Sequence, residues 1–318
     1  MSTPQQSIGS GFGARSTARE VLTGIDLTGR LAVVTGGYSG IGLETTRALA
    51  EAGARVVVPA RRPEAAASAL EGIGGVEVEA LELSDQEDVR AFAARFLRTG
   101  RAIDLLINNA GVMGCPHATA GPGWEYQFAT NHLGHFTLVN RLWPALADGG
   151  ARVVSVSSSG HRASPIRWDD PWFERGYDRW LAYGQSKTAN ALMAVHLDRL
   201  GAPFGVRAFS LHPGAILTPL QRHMTRAEMV DRGWVDEDGN LADPGFKTPE
   251  QGAATQVWAA TSPRLERMGG VYCEDCDIAV PAGADPDRAG VSEHAADPAQ
   301  AERLWAFSAE LTGEDALA

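Results

Sequence analysis

From residue 31 onward, short apolar runs alternate with longer stretches of helical spacing, and this rhythm leaves few folds open. The runs are LAVVTG (31–36), RVVVPA (55–60), VEVEALEL (76–83), IDLLINNAG (103–111), RVVSVSS (152–158) and VRAFSLHPG (206–214). Between them lie predicted helices over 41–53, 63–71, 85–99, 122–147 and 180–200. In the first of these, Ile41, Ala48, Leu49 and Ala52 share one side, and Gly53 ends the pattern. A strand that is apolar along its whole length has no face for water, so its sheet is covered on both sides. Regular strand–helix alternation makes such a sheet parallel. The predicted class is α/β, a doubly wound parallel sheet in one domain over 29–280. Such sheets bind ligands beyond the carboxyl ends of their strands.

The flanks read differently. Residues 1–28 are polar and rich in Gly and Ser at their start, and are expected to be a mobile tail. Residues 217–247 form a long charged stretch, and 281–297 are rich in Pro, Gly, Ala and Asp. An amphipathic stretch over 298–311 completes an expected C-terminal extension, 281–318. No apolar run approaches a membrane span, and the N-terminus has no apolar core. The expectation is a cytoplasmic protein with no membrane partner. A net charge of −11 argues against nucleic acid, which needs clustered Lys and Arg. Three cysteines fit a reducing compartment. Cys273 and Cys276 form a CxxC, but no second ligand pair accompanies it, so no metal is expected.

The loop Thr35-Gly-Gly-Tyr-Ser-Gly-Ile-Gly42 joins the first apolar run to the first helical stretch. Glycines there let the main chain turn sharply and approach a pyrophosphate at a helix N-terminus, as in Rossmann-type folds. The spacing is GxxxGxG, through Gly36, Gly40 and Gly42. Among five tyrosines, only Tyr183 has a lysine, Lys187, four residues later. On a helix the two share a face. A phenol near pKa 10 exchanges protons poorly at neutral pH. A nearby ammonium is expected to lower that value.

The ordered set resembles the short-chain dehydrogenase/reductase family. Gly36, Gly40 and Gly42 match its glycine loop, Asn108-Asn-Ala-Gly111 its NNAG, and Ser157-Ser158 its serine after the fifth strand. Tyr183-Gly-Gln-Ser-Lys187 matches YxxxK, and Pro213-Gly214 with Thr218 matches the PG…T after the sixth strand. The likeness covers about residues 30–220. Within the family, the run leading into LAVVTG, NHLGHF (131–136) and RWLAYGQSKTANAL look most like the retinol dehydrogenase and WW domain-containing oxidoreductase group.

The resemblance implies an NAD(P)-dependent enzyme that interconverts a hydroxyl and a carbonyl by hydride transfer. It implies a catalytic set of Ser158, Tyr183, Lys187 and Asn131. In that set Asn131 holds a water that links the lysine to solvent. Ser157 and Ser159 compete with Ser158 for the substrate oxygen. It also implies a cofactor site of Gly36, Tyr38, Ser39, Gly40, Ile41, Gly42, Asn109, Ala110, Gly111, Tyr183, Lys187, Pro213, Gly214, Ile216 and Thr218. Glu82 or Leu83 would lie against the adenine, Glu82 standing where family members more often carry Asp. His132, His135 and His161 are read as structural or pocket-lining.

The second run ends without the acidic residue that favours NAD and is followed by Arg61 and Arg62. Guanidinium groups suit a phosphate. NADP is the preferred cofactor, with Arg61 the better partner, Arg62 or Ser39 assisting, and NAD admitted. Residues 160–180 carry Trp168, Trp172, Phe173, Tyr177 and Trp180. Either these line a substrate entrance with Met113, Leu217, Leu220 and Met224, or they pack the insert onto the body. The partner expected is a small, lipophilic or aromatic alcohol, ketone or aldehyde. The family also implies a homo-oligomer, dimer or tetramer. A non-catalytic NAD(P)-binding protein on the same fold is the alternative.

Overall fold

The structure is a computed structural model, and it describes residues 3–283 and 289–317. The parts of the expected tail and extension at 1–2, 284–288 and 318 lie outside the described residues. Eight strands form one sheet. They are β1 (Leu31–Val34), β2 (Arg55–Ala60), β3 (Val76–Ala80), β4 (Leu105–Asn108), β5 (Arg152–Val156), β6 (Arg207–His212), β7 (Val271–Glu274) and β8 (Asp277–Ile278). Their order is β8-β7-β6-β5-β4-β1-β2-β3. All pairs are parallel except β7 with β8, which turns back through Asp275 and Cys276. Both turn residues have left-handed backbone, φ 51° and 60°. The CxxC therefore spans a hairpin corner, and its two thiols are buried and unpaired.

The absence of polar residues in β1 follows from its position. Ala32 and Val34 face one core with Leu49 and Trp258, while Leu31 and Val33 face the other with Phe92 and Phe136. Helices α1 (Gly40–Glu51) and, after the stretch 217–247, α6 (Pro249–Thr261) cover the first face. Helices α3 (Gln86–Leu97), α4 (Gly134–Arg141) and α5 (Arg179–Gly201) cover the second, and α2 (Pro63–Ala69) links β2 to β3. Each buried valine contributes on the order of 1.5–3 kcal/mol relative to exposure. A polar residue on either face would be left without water. The chain winds outward from β1 to β3, then returns to β4 on β1's other side. The loops after β1 and β4 diverge there and leave a crevice.

The single helix expected over 122–147 is broken. A short turn, Tyr126–Phe128, leads into a widened π-turn, Ala129–Leu133, before α4, and Trp143–Ala147 follows as a separate turn. Leu142, which caps both α4 and the last turn, lies two residues before Pro144, whose missing N–H suits a new helix start. The strand ends also differ from expectation. Residues 81–83, 109–111 and 157–158 leave the sheet and build the crevice instead.

Residues 3–28, expected as a mobile tail, are docked: 5–10 run along the sheet edge, and a short helix, Ala18–Val21, packs on α6 and α1. Gln5 donates to the carbonyls of Tyr272 and Ala279 at 2.7 and 2.6 Å. Asp277 accepts from Ile8 N and Ser7 Oγ at 2.9 and 2.7 Å. Arg15 holds the carbonyl of Phe246 at 2.7 Å. Polar residues here bond to the edge of β7 and β8 rather than to water. The extension also docks. Helix α7 (Pro298–Thr312), capped by Asp297, lies along α5. Trp305 stacks on His196 and meets Phe136 edge-on, with ring centroids 5.2 and 4.8 Å apart.

Candidate active site

A cleft of about 370 Å³ opens at the carboxyl ends of the strands. Its first part is main chain. Gly36 takes φ 65°, and a Cβ on Gly42 would stand 2.4 Å from the Gly36 carbonyl oxygen and 2.5 Å from Asn109 Nδ2. Any side chain at Gly42 would force the loop open, so the glycine spacing is a packing requirement. Thr35 Oγ1 ties the loop to the end of β4 by accepting from the N–H groups of Asn109 and Ala110, both at 3.0 Å. Ser39 is the N-cap of α1, yet its side chain makes no capping hydrogen bond. The hydroxyl is thus left facing the cleft at a positive helix end.

At the far end of this part stand Arg61, Arg62, Glu82 and Leu83. Arg61 Nε lies 3.8 Å from Glu82 Oε2, both side chains partly exposed. Glu82 accepts from Ser84 N and Oγ at 3.1 and 2.9 Å.

The middle of the cleft holds Ser158, Tyr183 and Lys187. Helix α5 brings the last two onto one face, with Nζ 5.6 Å from the phenol ring centroid. Lys187 Nζ donates to the Val156 carbonyl at 3.0 Å, and Ser157 Oγ donates to the Lys187 carbonyl at 2.7 Å. Ser158 Oγ and the Tyr183 ring both border Gly160, where an added Cβ would meet them at 3.4 and 2.9 Å. Ser157 is therefore spent on the main chain, whereas Ser158 faces the phenol.

The titration of the pair differs from the expectation. Burial pushes the Tyr183 phenol up to about 12, opposed only by the neighbouring Ser158 side chain. Burial also pushes Lys187 down to about 8. Loss of water outweighs the ammonium's pull on the phenol, because both groups share one desolvated pocket.

Of the catalytic and cofactor residues singled out from the sequence, all line this cleft except Asn131 and Gly42. Gly42 acts from behind, by close approach. Asn131 sits in the π-turn, wholly buried. Its Oδ1 accepts from Val112 N at 2.8 Å, and its Nδ2 donates to Val112 O and Ser186 Oγ, both at 2.9 Å. Its carbonyl accepts from His135 Nδ1 at 2.9 Å. The expected water-holding role meets a side chain already committed. Asn131 positions the loop after β4 and the helix that carries the Tyr–Lys pair.

The substrate end holds what sequence reasoning missed. Of the five insert aromatics, four dock the insert. Trp168 and Trp172 pack on Phe307, Phe173 is buried, and Tyr177 donates to the Cys115 carbonyl at 3.0 Å. Only Trp180 joins the apolar cluster of Met113, Tyr183 and Met224. Leu220 packs against it too, while Leu217 does not line the cleft. The missing wall is Trp234 and Phe246, 5.7 Å apart edge-to-face, from the stretch 217–247. Arg232 lies over both Trp180 and Trp234, at 4.4 and 5.6 Å. Arg179 pairs with Glu228, fastening the same stretch to α5. Their only sequence signal was two aromatics in an otherwise charged region. His135 was also missed as a connector. Its Nε2 meets Thr35 Oγ1 at 2.9 Å, joining the glycine loop to Asn131.

The family pattern described as short chain dehydrogenase matches residues 30–229. A "Probable oxidoreductase" of Streptomyces lividans is 48% identical over 297 residues, 90% of this chain and 98% of that protein. Retinol dehydrogenase 12 of Mus musculus is 38% identical over 298 residues, 92% of this chain and 89% of that protein. Among solved structures, the Pseudomonas aeruginosa RhlG/NADP active-site complex overlays with a TM-score of 0.60. It is 26% identical and covers 78% of this chain and 95% of that one.

Proposed function

The chain belongs to the short-chain dehydrogenase family, and from that premise we propose that it reduces a carbonyl or oxidises a hydroxyl on a small, lipophilic or aromatic substrate, with NADP(H) preferred over NAD(H). The observation that carries this reading is the convergence of Ser158, Tyr183 and Lys187 midway between a main-chain cradle and an apolar wall. The cradle fits a dinucleotide on the chain's own geometry: a glycine turn that admits no side chain, an uncapped helix N-terminus with a spare hydroxyl, and two arginines at the far end. When bound, the nicotinamide supplies or accepts the hydride.

The chain's residues manage the proton. Tyr183 donates it to the carbonyl oxygen in reduction and removes it from the hydroxyl in oxidation. With its phenol raised to about 12, it stands protonated for reduction at neutral pH, and oxidation draws on the small phenolate fraction, which grows as pH rises. Ser158 holds the same substrate oxygen. Lys187 provides the neighbouring charge. Asn131 keeps the Val112 main chain and the start of α5 in register. Trp180, Trp234, Phe246, Met113 and Leu220 exclude water around the reacting carbon. Arg61 and Arg62 favour a 2′-phosphate; the NADP in the Pseudomonas aeruginosa complex supports that preference. Because α7 already covers α5, we place any homo-oligomer on a face other than that helix.

The experiment is consumption of NADPH and NADH by the purified chain over a panel of aromatic and aliphatic ketones and aldehydes. The expected result is turnover of apolar carbonyls, with kcat/KM at least about tenfold higher with NADPH. Equal use of both cofactors, or preference for small polar carbonyls, contradicts it.

A further inference from the structure

The proposed chemistry does not use His161, although its ring is bonded beside Ser158. It lies three residues after Ser158 and is wholly buried. Its Nδ1 stands 2.6 Å from the Ser158 carbonyl. Its Nε2 receives the main-chain N–H of Ser292 at 3.0 Å. Its own carbonyl accepts from Thr188 Oγ1 at 3.1 Å and from His294 Nε2 at 3.0 Å. The Tyr272 hydroxyl lies 3.3 Å from Nδ1.

These partners fix where the ring proton sits. A main-chain N–H only donates, so Nε2 is bare. A carbonyl only accepts, so Nδ1 carries the hydrogen. Burial holds the ring neutral, down to about 4, so there is one proton and it is on Nδ1. Two main-chain groups distant in sequence thus agree on one tautomer.

The Ser292 donor belongs to a segment strapped to the body. Gly290 N donates to Glu274 at 2.8 Å, and Val291 and Ala295 pack with Tyr272 and Ala191 of α5. We propose that His161 is a positioning residue through which the segment 290–294 sets the main chain of Ser158, and so the place of the Ser158 hydroxyl beside Tyr183. This rests on the proposed role of Ser158. Ser158 has extended backbone, φ −170° and ψ 158°, and its Oγ accepts from Gly160 N at 3.0 Å. Its carbonyl accepts from the His161 main-chain N–H at 3.1 Å as well as from Nδ1 at 2.6 Å, and the Ser159 N–H of the same peptide donates to His212 Nδ1 at 3.1 Å, so the His161 ring adds the shortest of three holds on that peptide.

The test separates the two ring nitrogens. His161→Asn keeps a donor near the Nδ1 position and loses the acceptor for Ser292. His161→Gln keeps an acceptor near the Nε2 position and loses the donor to Ser158. With NADPH and 4-nitrobenzaldehyde, His161→Gln is expected to lower kcat about tenfold and leave KM and the NADPH Kd within about twofold. His161→Asn, which keeps the donor to Ser158 but loses the segment's hold, is expected to lower kcat severalfold, as Ser292→Pro does, and less than His161→Gln. In a Ser158→Ala background, His161→Gln is expected to cost nothing further. If Ser158→Ala itself keeps wild-type kcat, the site assignment fails. If Ser158→Ala is impaired but His161→Gln adds its full factor there, this proposal alone fails.

Should His161→Gln not bind NADPH, Ser292→Pro carries the test. Ser292 has φ −67°, which proline adopts, so the change removes chiefly the N–H donor. It is expected to lower kcat severalfold at unchanged NADPH Kd; unchanged kcat overturns the proposal. Imidazole 15N shifts give an answer that needs no substrate. A protonated Nδ1 on His161 in the wild type, shifting toward mixed tautomers in Ser292→Pro, supports it, and a protonated Nε2 in the wild type sinks it.

Discussion

The two ends of the cleft are built from different material. The cofactor end is mostly main chain: Gly36, Gly42, the Asn109 and Ala110 amides on Thr35 and the N-terminus of α1. The substrate end is mostly side chain: Trp180 from α5, Met113 from the loop after β4, and Trp234 and Phe246 from 217–247. Main-chain geometry constrains which residue is allowed at a fixed spacing. A side-chain wall needs only apolar bulk arriving from anywhere. The first end is therefore rigid in sequence, and the second is free to differ between relatives that share the chemistry.

Changes at the meeting point test that contrast most severely. Tyr183→Phe removes the proton donor but not the apolar contacts of its ring. We expect kcat to fall by about 10³ while the NADPH Kd stays within about twofold. A matched loss of cofactor binding would show that the two ends are not separable. Next in size, replacing Arg61 and Arg62 together with Ala is expected to weaken NADPH by about 10- to 100-fold and NADH hardly at all. Titration of both cofactors by fluorescence checks this, and equal losses would mean the arginines hold something shared. Trp234→Ala is expected to raise KM for an aromatic aldehyde about five- to tenfold with cofactor Kd unchanged. An unchanged KM would move the substrate away from that wall.

The smallest effect concerns acid. Burial lowers His132 and His212 to about 3, and His135 and His161 to about 4. The unfolded chain protonates these near 6.5, so it binds more protons than the folded chain below that pH. The stability they protect is complete above about 6.5 and is lost as pH falls toward 4. Each group contributes a slope of about 1.4 kcal/mol per pH unit in that window. His135→Gln and His161→Gln are each expected to flatten the fall of urea midpoint with pH by about one proton. A slope unchanged in both would mean these rings are charged in the fold.

Legibility in the sequence follows the same division. Apolar runs buried on both faces announce a covered parallel sheet, because a polar residue along β1 would be stranded; in β4 the one polar residue, Asn108, comes at the strand's last position. The glycine spacing, Tyr183 with Lys187, and Pro213-Gly214 are visible because helix and turn geometry set their intervals. The π-turn at Asn131 was not visible, since a helix widened by one residue keeps its apolar spacing nearly intact. The insert aromatics left two readings open, because a tryptophan that docks on Phe307 and one that meets a substrate look alike in one dimension. Tyr183's raised pKa was equally hidden, because burial is a property of the assembled pocket. The ordered N-terminal segment reads as polar and mobile until the open edge of β7 and β8 supplies its partners.

The central claim is that cofactor and apolar carbonyl meet at Tyr183. The direct measurement uses NADPH deuterated on the transferring face of C4, with 4-nitrobenzaldehyde, and mass analysis of the alcohol. The account predicts one deuterium on the carbinol carbon with the wild type, and near-complete loss of transfer in Tyr183→Phe that still binds NADPH. Transfer by Tyr183→Phe at the wild-type rate would contradict it.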